Sequence, residues 1–303
     1  MNSIVLFYRL LRPVNLILIA LTPAAIWATL VQPLMKQPEL TLGYAVSLGA
    51  MMACVAAAGN IVNDIADRTI DSLNKRPNPL LEGLPVSVAW LLAAGFAIVG
   101  LALSLSLKQY TGSWLYPSLT VGALSSLLLY AFVLKCTPVL GNLLVALLCA
   151  IVPGVLLVAE PIIGGAIDAS PLAQTLVAYV AMAFFGTYAR EVIKDLEDAP
   201  GDGAAGCNTL AVRWPRGRTI LLAQFAMAGV LAAVAYVATI WYVTGELMNA
   251  VSWSALWLLL ASVLYSISPV ISREGLGQVS RHIKLSMAFG LFLLIIVNAG
   301  AWS

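Results

Sequence analysis

Nine stretches of about 20 predominantly apolar residues recur along this chain, each long enough to cross the hydrocarbon core of a bilayer as a helix. They lie approximately at 14–33, 41–62, 86–107, 113–134, 139–160, 171–189, 219–242, 249–270 and 283–301. Composition argues against a water-soluble domain. Hydrophobic residues make up 61% of the chain and charged residues 10%, and the mean hydropathy is +0.95. Soluble domains carry roughly 25% charged residues, so too few polar side chains are present here to cover a surface facing water. The expected fold is all-α: a polytopic membrane protein of about nine transmembrane helices around a central cavity open to the cytoplasmic side. The whole of 1–303 reads as a single integral-membrane domain. Pro23, Pro117 and the Pro153-Gly154 pair lie inside three of the stretches and are expected as kinks whose backbone groups neighbours re-satisfy. The first stretch follows Arg9 and Arg12 like a signal peptide. No small-residue cleavage site follows, however, and eight more apolar stretches do, so it reads as a retained first helix.

Lysine and arginine orient the chain, because they accumulate in cytoplasmic connections. With the N-terminus in the cytoplasm, Arg9, Arg12, Arg68, Lys75, Arg76, Lys135, Arg190, Lys194, Arg213, Arg216, Arg218, Arg273, Arg281 and Lys284 all fall inside. That is fourteen of sixteen basic residues, leaving Lys36 and Lys108 outside. The expected location is the inner or plasma membrane of the cell, with a cytoplasmic active site and the C-terminus outside. The net charge of +2 and the lack of a basic run give no reason to expect a nucleic-acid partner. No obligate protein partner is implied either.

Against this background the acids are concentrated. Nine of fourteen carboxylates lie in two clusters and a short stretch after the first, and both clusters fall on the cytoplasmic side. In Asn63-Asp64-Ile65-Ala66-Asp67-Arg68-Thr69-Ile70-Asp71 the aspartates stand at i, i+3 and i+7, one face of a helix. Like charges so spaced are destabilising until something neutralises them. Mg²⁺ does so with a few carboxylates, completed by water and phosphate oxygens. Asn60 and Asn63 add neutral oxygen ligands or amide donors beside them. In the second cluster, Arg190 to Asp202, the acids Glu191, Asp195 and Asp198 follow i, i+4 and i+7, with Tyr188 on the same stripe one turn earlier. Pro200-Gly201 is expected to end that helix, which makes Asp202 a loop ligand.

Two carboxylate faces at one membrane surface predict Mg²⁺ ions holding a diphosphate. Arg68, Lys75, Arg76, Lys135, Arg190 and Lys194 can lie at the same surface as counter-charges to an anionic ligand. Metal ions that stabilise a leaving oxygen make departure of diphosphate feasible, and the tail of such a substrate would run into the apolar bundle. The plain alternative is a pair of solvated loop faces. Two acid stripes, each abutting an apolar stretch, argue against it, since ionisable groups at such positions mark functional sites. Arg12 is open to two readings, a contact for the anionic end of an acceptor or a positive-inside anchor. Lys135 and Asn142 bracket the start of the fifth stretch, where the plain reading is an interfacial lysine and a helix-start residue. Cys54, Cys136, Cys149 and Cys207 have no metal-ligand spacing and read as small apolar fillers or free thiols. His282, the only histidine, sits between Arg281 and Lys284 in a basic edge.

The pattern Asn63-Asp64-x-x-Asp67-x-x-x-Asp71 resembles the first signature of the UbiA superfamily of intramembrane prenyltransferases. The downstream acidic run and the nine apolar stretches are similar to the same family over essentially the whole chain. The resemblance implies a transferase in which Asp64, Asp67, Asp71, Asp195 and Asp198 serve catalysis. These aspartates, with Asn63 and Asp202, would bind Mg²⁺ and a prenyl diphosphate. The allylic C–O bond would ionise, and an acceptor nucleophile would capture the carbocation, with Asp71 or the released diphosphate taking the proton. Arg68, Arg190, Lys194, Tyr188 and Asn142 are the expected diphosphate contacts. Lys135 joins them because Lys135 to Gly141-Asn142 resembles the family's K-x-x-x-x-x-G-N stretch.

The run Arg190-Glu191-x-x-Lys194-Asp195-x-Glu197-Asp198-x-x-Gly201-Asp202, followed by Asn208-Thr209-Leu210-Ala211-Val212, resembles one branch in particular. That branch attaches a geranylgeranyl group to the hydroxyl of geranylgeranylglyceryl phosphate, forming an ether lipid. Branches with aromatic acceptors, of quinone, chlorophyll or tocopherol type, share part of the run. Two departures stand out. Where the family often reads RPxRPxxxG after Asp71, this chain has Lys75-Arg76-Pro77-Asn78-Pro79-Leu80-Leu81-Glu82-Gly83, short of the second arginine. Where relatives commonly carry a basic residue after Asp202, it has Gly203-Ala204-Ala205. The contrasting class is an ion or metabolite transporter, which would place ionisable groups near the bilayer midplane; these acids lie at one edge.

Overall fold

The computed structural model of the protein describes residues 3–32, 41–159, 170–267 and 271–299, and the regular structure within them is helical. In chain order the helices are α1 (Ser3–Leu11), α2 (Pro13–Ile26, continued by a π turn Trp27–Val31), α3 (Leu42–Ala66) and α4 (Arg68–Asn74). Then come α5 (Val86–Thr111), α6 (Leu115–Leu129, continued by a π turn Tyr130–Leu134), α7 (Leu140–Ala159) and α8 (Pro171–Ala204). The last four are α9 (Leu210–Arg213), α10 (Arg216–Val243), α11 (Leu247–Ser266) and α12 (Arg273–Ala299). Eight helices among the described residues are long and apolar enough to cross a membrane. The ninth expected stretch, 283–301, begins within α12 and continues past the described residues. Lys36, one of the two basic residues expected outside, also lies outside them.

The prolines sit as membrane helices tolerate them. Pro23 and Pro153 are internal to α2 and α7, and Pro117 is in the first turn of α6, where no helical N–H partner is lost. The larger departure is Pro200. The sequence predicts a helix stop there, yet α8 passes through Pro200 and Gly201 to Ala204, so Asp202 is a helical residue and not a loop ligand.

The residues group into two compact units. The first comprises Met1–Ala24, Thr41–Leu144 and Asp198–Val212. In it α3 packs along α5 and α6. Its core joins Leu10, Ile61, Val62, Leu80, Ala89, Ala93 and Ala131. Small residues dominate the seam: Ala57, Ala58 and Gly59 are buried on α3, and Ala89, Ala93 and Gly100 on α5. In lipid, close backbone approach through such residues replaces the hydrophobic drive that holds soluble helices together. Leu80 belongs to the connection between α4 and α5, and its burial in this core folds the connection back against the helices.

The second unit comprises Ala25–Leu40, Val145–Glu197 and Arg213–Ser303. Here α10 packs on α11 and α11 on α12, and Leu156, Leu176, Ile193 and Trp253 are fully buried. Gln224 Nε2 donates to the Ile267 carbonyl at the C-terminal end of α11 at 2.7 Å, satisfying a group that the helix leaves open.

Candidate active site

Asn63 and Asp64 occupy the last turn of α3, and Asp67 is the junction residue between α3 and α4 with helical backbone angles. The stripe of Asp64, Asp67 and Asp71 expected from the sequence therefore survives the junction. It is largely withdrawn from solvent: Asp64 is 5% exposed and Asp67 6%. Unpaired buried carboxylates are costly, and each of these has a partner. Arg12 forms an ion pair with Asp64, and Lys135 with Asp67. Asn63 Nδ2 donates to Asp67 Oδ2 at 2.6 Å. Asn78 Nδ2 donates to Asp71 Oδ2 at 2.7 Å and to the Asp64 carbonyl at 2.9 Å.

The end of α8 belongs to the same compact unit and brings Asp198 and Asp202, the last acids of the second cluster, with it. Arg76 Nη2 lies 2.6 Å from Asp198 Oδ1. Asp202, 6% exposed, interacts electrostatically with Asp198, Lys135, Asp67 and Arg76, and Asp64 interacts with Arg12, Asp67 and Asp71. Asp64, Asp67, Asp71, Asp198 and Asp202 thus share one electrostatic neighbourhood with the three basic residues Arg12, Arg76 and Lys135. Among the described residues, no three acidic, histidine or cysteine side chains converge at distances that would hold a metal ion; basic side chains hold the carboxylates instead.

The basic residues are delivered by unusual backbone. Arg12 has φ 55° at the break between α1 and α2, a conformation uncommon for a residue with a side chain, and strain of this kind collects at functional sites. The Leu11 carbonyl beside it accepts from Asn60 Nδ2 at 3.4 Å, so Asn60 is an amide donor. Lys135 follows the π turn of α6, its N–H donating to the Tyr130 carbonyl at 2.9 Å. Buried Asn142 opens α7, and Gly141 beside it lets the chain close. A Cβ there would lie 2.8 Å from the Leu134 carbonyl oxygen. Gly141→Ala is expected to cost about 1–3 kcal/mol through this overlap, read as a lower melting temperature in detergent.

Two of the cysteines are bonded, contrary to the sequence reading. Cys136 and Cys207, 71 residues apart, form a disulfide, and the Asn208 N–H donates to the Cys136 carbonyl at 3.0 Å. These bonds fasten the turn bearing Lys135 to the segment that follows Asp202. Cys54 and Cys149 are free thiols. Arg68 is exposed on the first turn of α4.

Four expected site residues, Tyr188, Arg190, Lys194 and Asp195, lie on the part of α8 in the second unit. Arg190 forms an ion pair with buried Glu191, and Tyr188 stacks on Phe184 with ring centroids 6.4 Å apart. Lys194 and Asp195 are half-buried.

Asn74 and Asn78 went unrecognised in the sequence. The one signal for Asn78 is the departure already noted: aligned on Pro79 and Gly83, it stands where the RPxRPxxxG pattern has its second arginine. Asn74 has no such signal.

With this geometry in place, comparison identifies the class. Residues 15–287 match the UbiA prenyltransferase family, and the chain belongs to it. Together with the eight helices among the described residues that are long and apolar enough to cross a membrane, this makes it an integral membrane protein. Digeranylgeranylglyceryl phosphate synthase of Methanoregula boonei is 34% identical over 240 residues, covering 78% of this chain and 77% of that one. A solved structure of a digeranylgeranylglyceryl phosphate synthase matches with a TM-score of 0.64 at 21% identity, covering 98% of this chain and 99% of the other. A UbiA homologue from Archaeoglobus fulgidus, solved with GPP and Mg²⁺ bound, matches with a TM-score of 0.55 at 19% identity, covering 96% and 99%. The all-helical fold expected from the sequence is thus the fold of this family.

Proposed function

We propose that this chain transfers a prenyl group, geranylgeranyl, from its diphosphate to the hydroxyl of geranylgeranylglyceryl phosphate or a similar lipid, with Mg²⁺ as cofactor. The observation that carries the proposal is the gathering of five aspartates from both acidic segments, interleaved with Arg12, Arg76 and Lys135, in a unit built from apolar helices. The acceptor assignment is supported by the named relative above. The single-domain reading is supported by the family match, which runs unbroken over residues 15–287.

The residues fit Mg²⁺. Their donors are hard carboxylate and amide oxygens of the kind it selects, and Asn63 Oδ1, on the amide that donates to Asp67, is buried without a hydrogen-bond partner. Asn63, Asp64, Asp67, Asp71, Asp198 and Asp202 are the proposed ligands. Bound there, the ion would supply the positive charge that stabilises a departing diphosphate. Lys135, Arg12 and Arg76 hold cationic groups at the carboxylates and would offset phosphate charge as it develops, with Arg68 and Asn142 as further contacts. Asp71, kept in place by Asn78, is the group within this set to receive the acceptor's hydroxyl proton, and the released diphosphate is the other. The apolar helices exclude water from the allylic cation.

Detergent-purified protein should convert labelled geranylgeranyl diphosphate and geranylgeranylglyceryl phosphate to an ether lipid, with stoichiometric diphosphate release. EDTA should stop the reaction and excess Mg²⁺ restore it. Product with 4-hydroxybenzoate alone would move the enzyme to the aromatic-acceptor branch. The proposed topology places the N-terminus and the site in the cytoplasm and the C-terminus outside. It predicts that an impermeant thiol reagent labels Gln109→Cys, but not Leu73→Cys, in intact cells; the reverse pattern would invert the chain.

A further inference from the structure

We infer that the turn Asn74–Asn78 sets the separation of the two acidic segments, with Asn74 and Asn78 acting as positioning residues through the aspartates and not on substrate. The inference rests on the Mg²⁺-diphosphate reading above.

Asn74 ends α4 and is 9% exposed. Its Nδ2 donates to the Asp198 carbonyl at 3.3 Å, and its Oδ1 accepts from the Gly201 N–H at 3.2 Å. The contact is close enough that a Cβ on Gly201 would lie 2.3–2.4 Å from the atoms of the Asn74 amide. Only glycine leaves room for the amide against the helix. Pro200, beside it, has no N–H to give the preceding turn. Side chains that insert at such a point are a known way for a helix to accommodate a defect. Asn74 therefore holds α8 on both sides of Pro200 and anchors the backbone on which Asp198 and Asp202 stand.

The other end of the turn grips the first segment. Asn78 is 1% exposed. Its Nδ2 reaches the Asp64 carbonyl and Asp71 Oδ2, and its Oδ1 accepts from the Leu80 N–H at 2.9 Å. Between the two asparagines, Arg76 reaches Asp198. One short turn thus holds Asp71 at one end and Asp198 at the other. Amides suit both places. Each has donor and acceptor in one group, and neither adds charge to a set of carboxylates that must remain available to a cation.

The test is calorimetric titration of the full chain in detergent with Mg²⁺ and inorganic diphosphate, alongside steady-state kinetics. Asn74→Ala and Asn78→Ala should each weaken Mg²⁺-diphosphate binding by about 10- to 100-fold, the range for groups that orient metal ligands. Each should also raise the Mg²⁺ concentration for half-maximal turnover while leaving KM for the acceptor unchanged. Gly201→Ala, which removes the seat and leaves Asn74 intact, should reproduce the Asn74→Ala loss. The double variant should be no weaker than the weaker single, because both break one contact. Using both ends of the turn keeps the test decisive if one variant does not fold. Native affinity in folded Asn74→Ala and Asn78→Ala, with only the melting temperature lowered, would overturn the inference. Absence of Mg²⁺-diphosphate binding by the unaltered protein would overturn the functional reading and this inference together. Weakened binding in the variants of a protein that fails to prenylate geranylgeranylglyceryl phosphate would support the inference and remove only the acceptor assignment.

Discussion

Asp67→Asn is expected to lower kcat for prenyl transfer by about 1000-fold, at the upper end of what one preorganised electrostatic group supplies, without loss of helix content. Asp67 sits at the centre of the network, joined to Lys135 and Asn63 and coupled electrostatically to Asp64 and Asp202. The asparagine is nearly isosteric but keeps an acceptor oxygen for only one of the two neighbours, its NH2 facing the other. It also removes one negative charge, the one paired directly with the Lys135 ammonium, at the place proposed for Mg²⁺. Turnover at saturating Mg²⁺, with circular dichroism and size-exclusion profiles as controls, reads the result. A folded Asp67→Asn enzyme within tenfold of the native rate would exclude Asp67 from the site.

Lys135→Met is expected to lower kcat/KM for the prenyl diphosphate by about 100-fold, the loss typical of one preorganised donor at developing charge, with KM for the lipid acceptor unaffected. Methionine keeps the length of the side chain and deletes its charge. The backbone under Lys135 is anchored on both sides, by the π turn before it and by the Cys136–Cys207 link after it. The substitution should therefore leave the turn in place, so the measured loss reports the ammonium itself. It also leaves buried Asp67 without its cation, a cost that the fold carries in the free protein and that Mg²⁺ would offset. Sensitivity to EDTA should accordingly be lower relative to native. An equal rise in both KM values would mean that the cavity had been distorted.

The free protein resolves a conflict built into the site. Five aspartates close together in a low-dielectric setting repel one another, and burial raises the cost of each charge. The structure answers with bases drawn from distant parts of the chain: Arg12 from the first break, Arg76 from the turn after α4 and Lys135 from the end of α6. The same cations that stabilise the free protein are of the sign needed to receive a diphosphate. In the proposed reaction, binding then exchanges one set of ionic contacts for another and needs no new charge brought from solvent.

Much of this was legible in the sequence because its cause is local. Apolar runs of membrane-spanning length specify helices, and aspartates at i, i+3 and i+7 specify a common face wherever the chain is helical. The stripe of Asp64, Asp67 and Asp71 therefore follows from spacing, as do the placement of Asp198 on α8 and the likeness to the UbiA family, which rests on those same spacings. Contacts between residues far apart in the chain were not legible. Pro200-Gly201 is by itself a helix stop, yet α8 continues through it, and Asn74, 127 residues away from Gly201 in sequence, hydrogen-bonds its backbone on both sides of the proline. The cysteines have no spacing that announces a pair, and only the meeting of the Lys135 turn with the end of the second acidic segment brings Cys136 to Cys207. The pairing of Arg12 with Asp64 likewise depends on the left-handed break before Pro13, which no local pattern announces. Periodicity and hydropathy are properties of neighbouring residues, so the sequence by itself determined the helices, their residence in the membrane and the two acidic segments. Which base meets which acid, and what keeps the second segment helical past its proline, depend on side chains brought together by packing, and only the tertiary structure decided them.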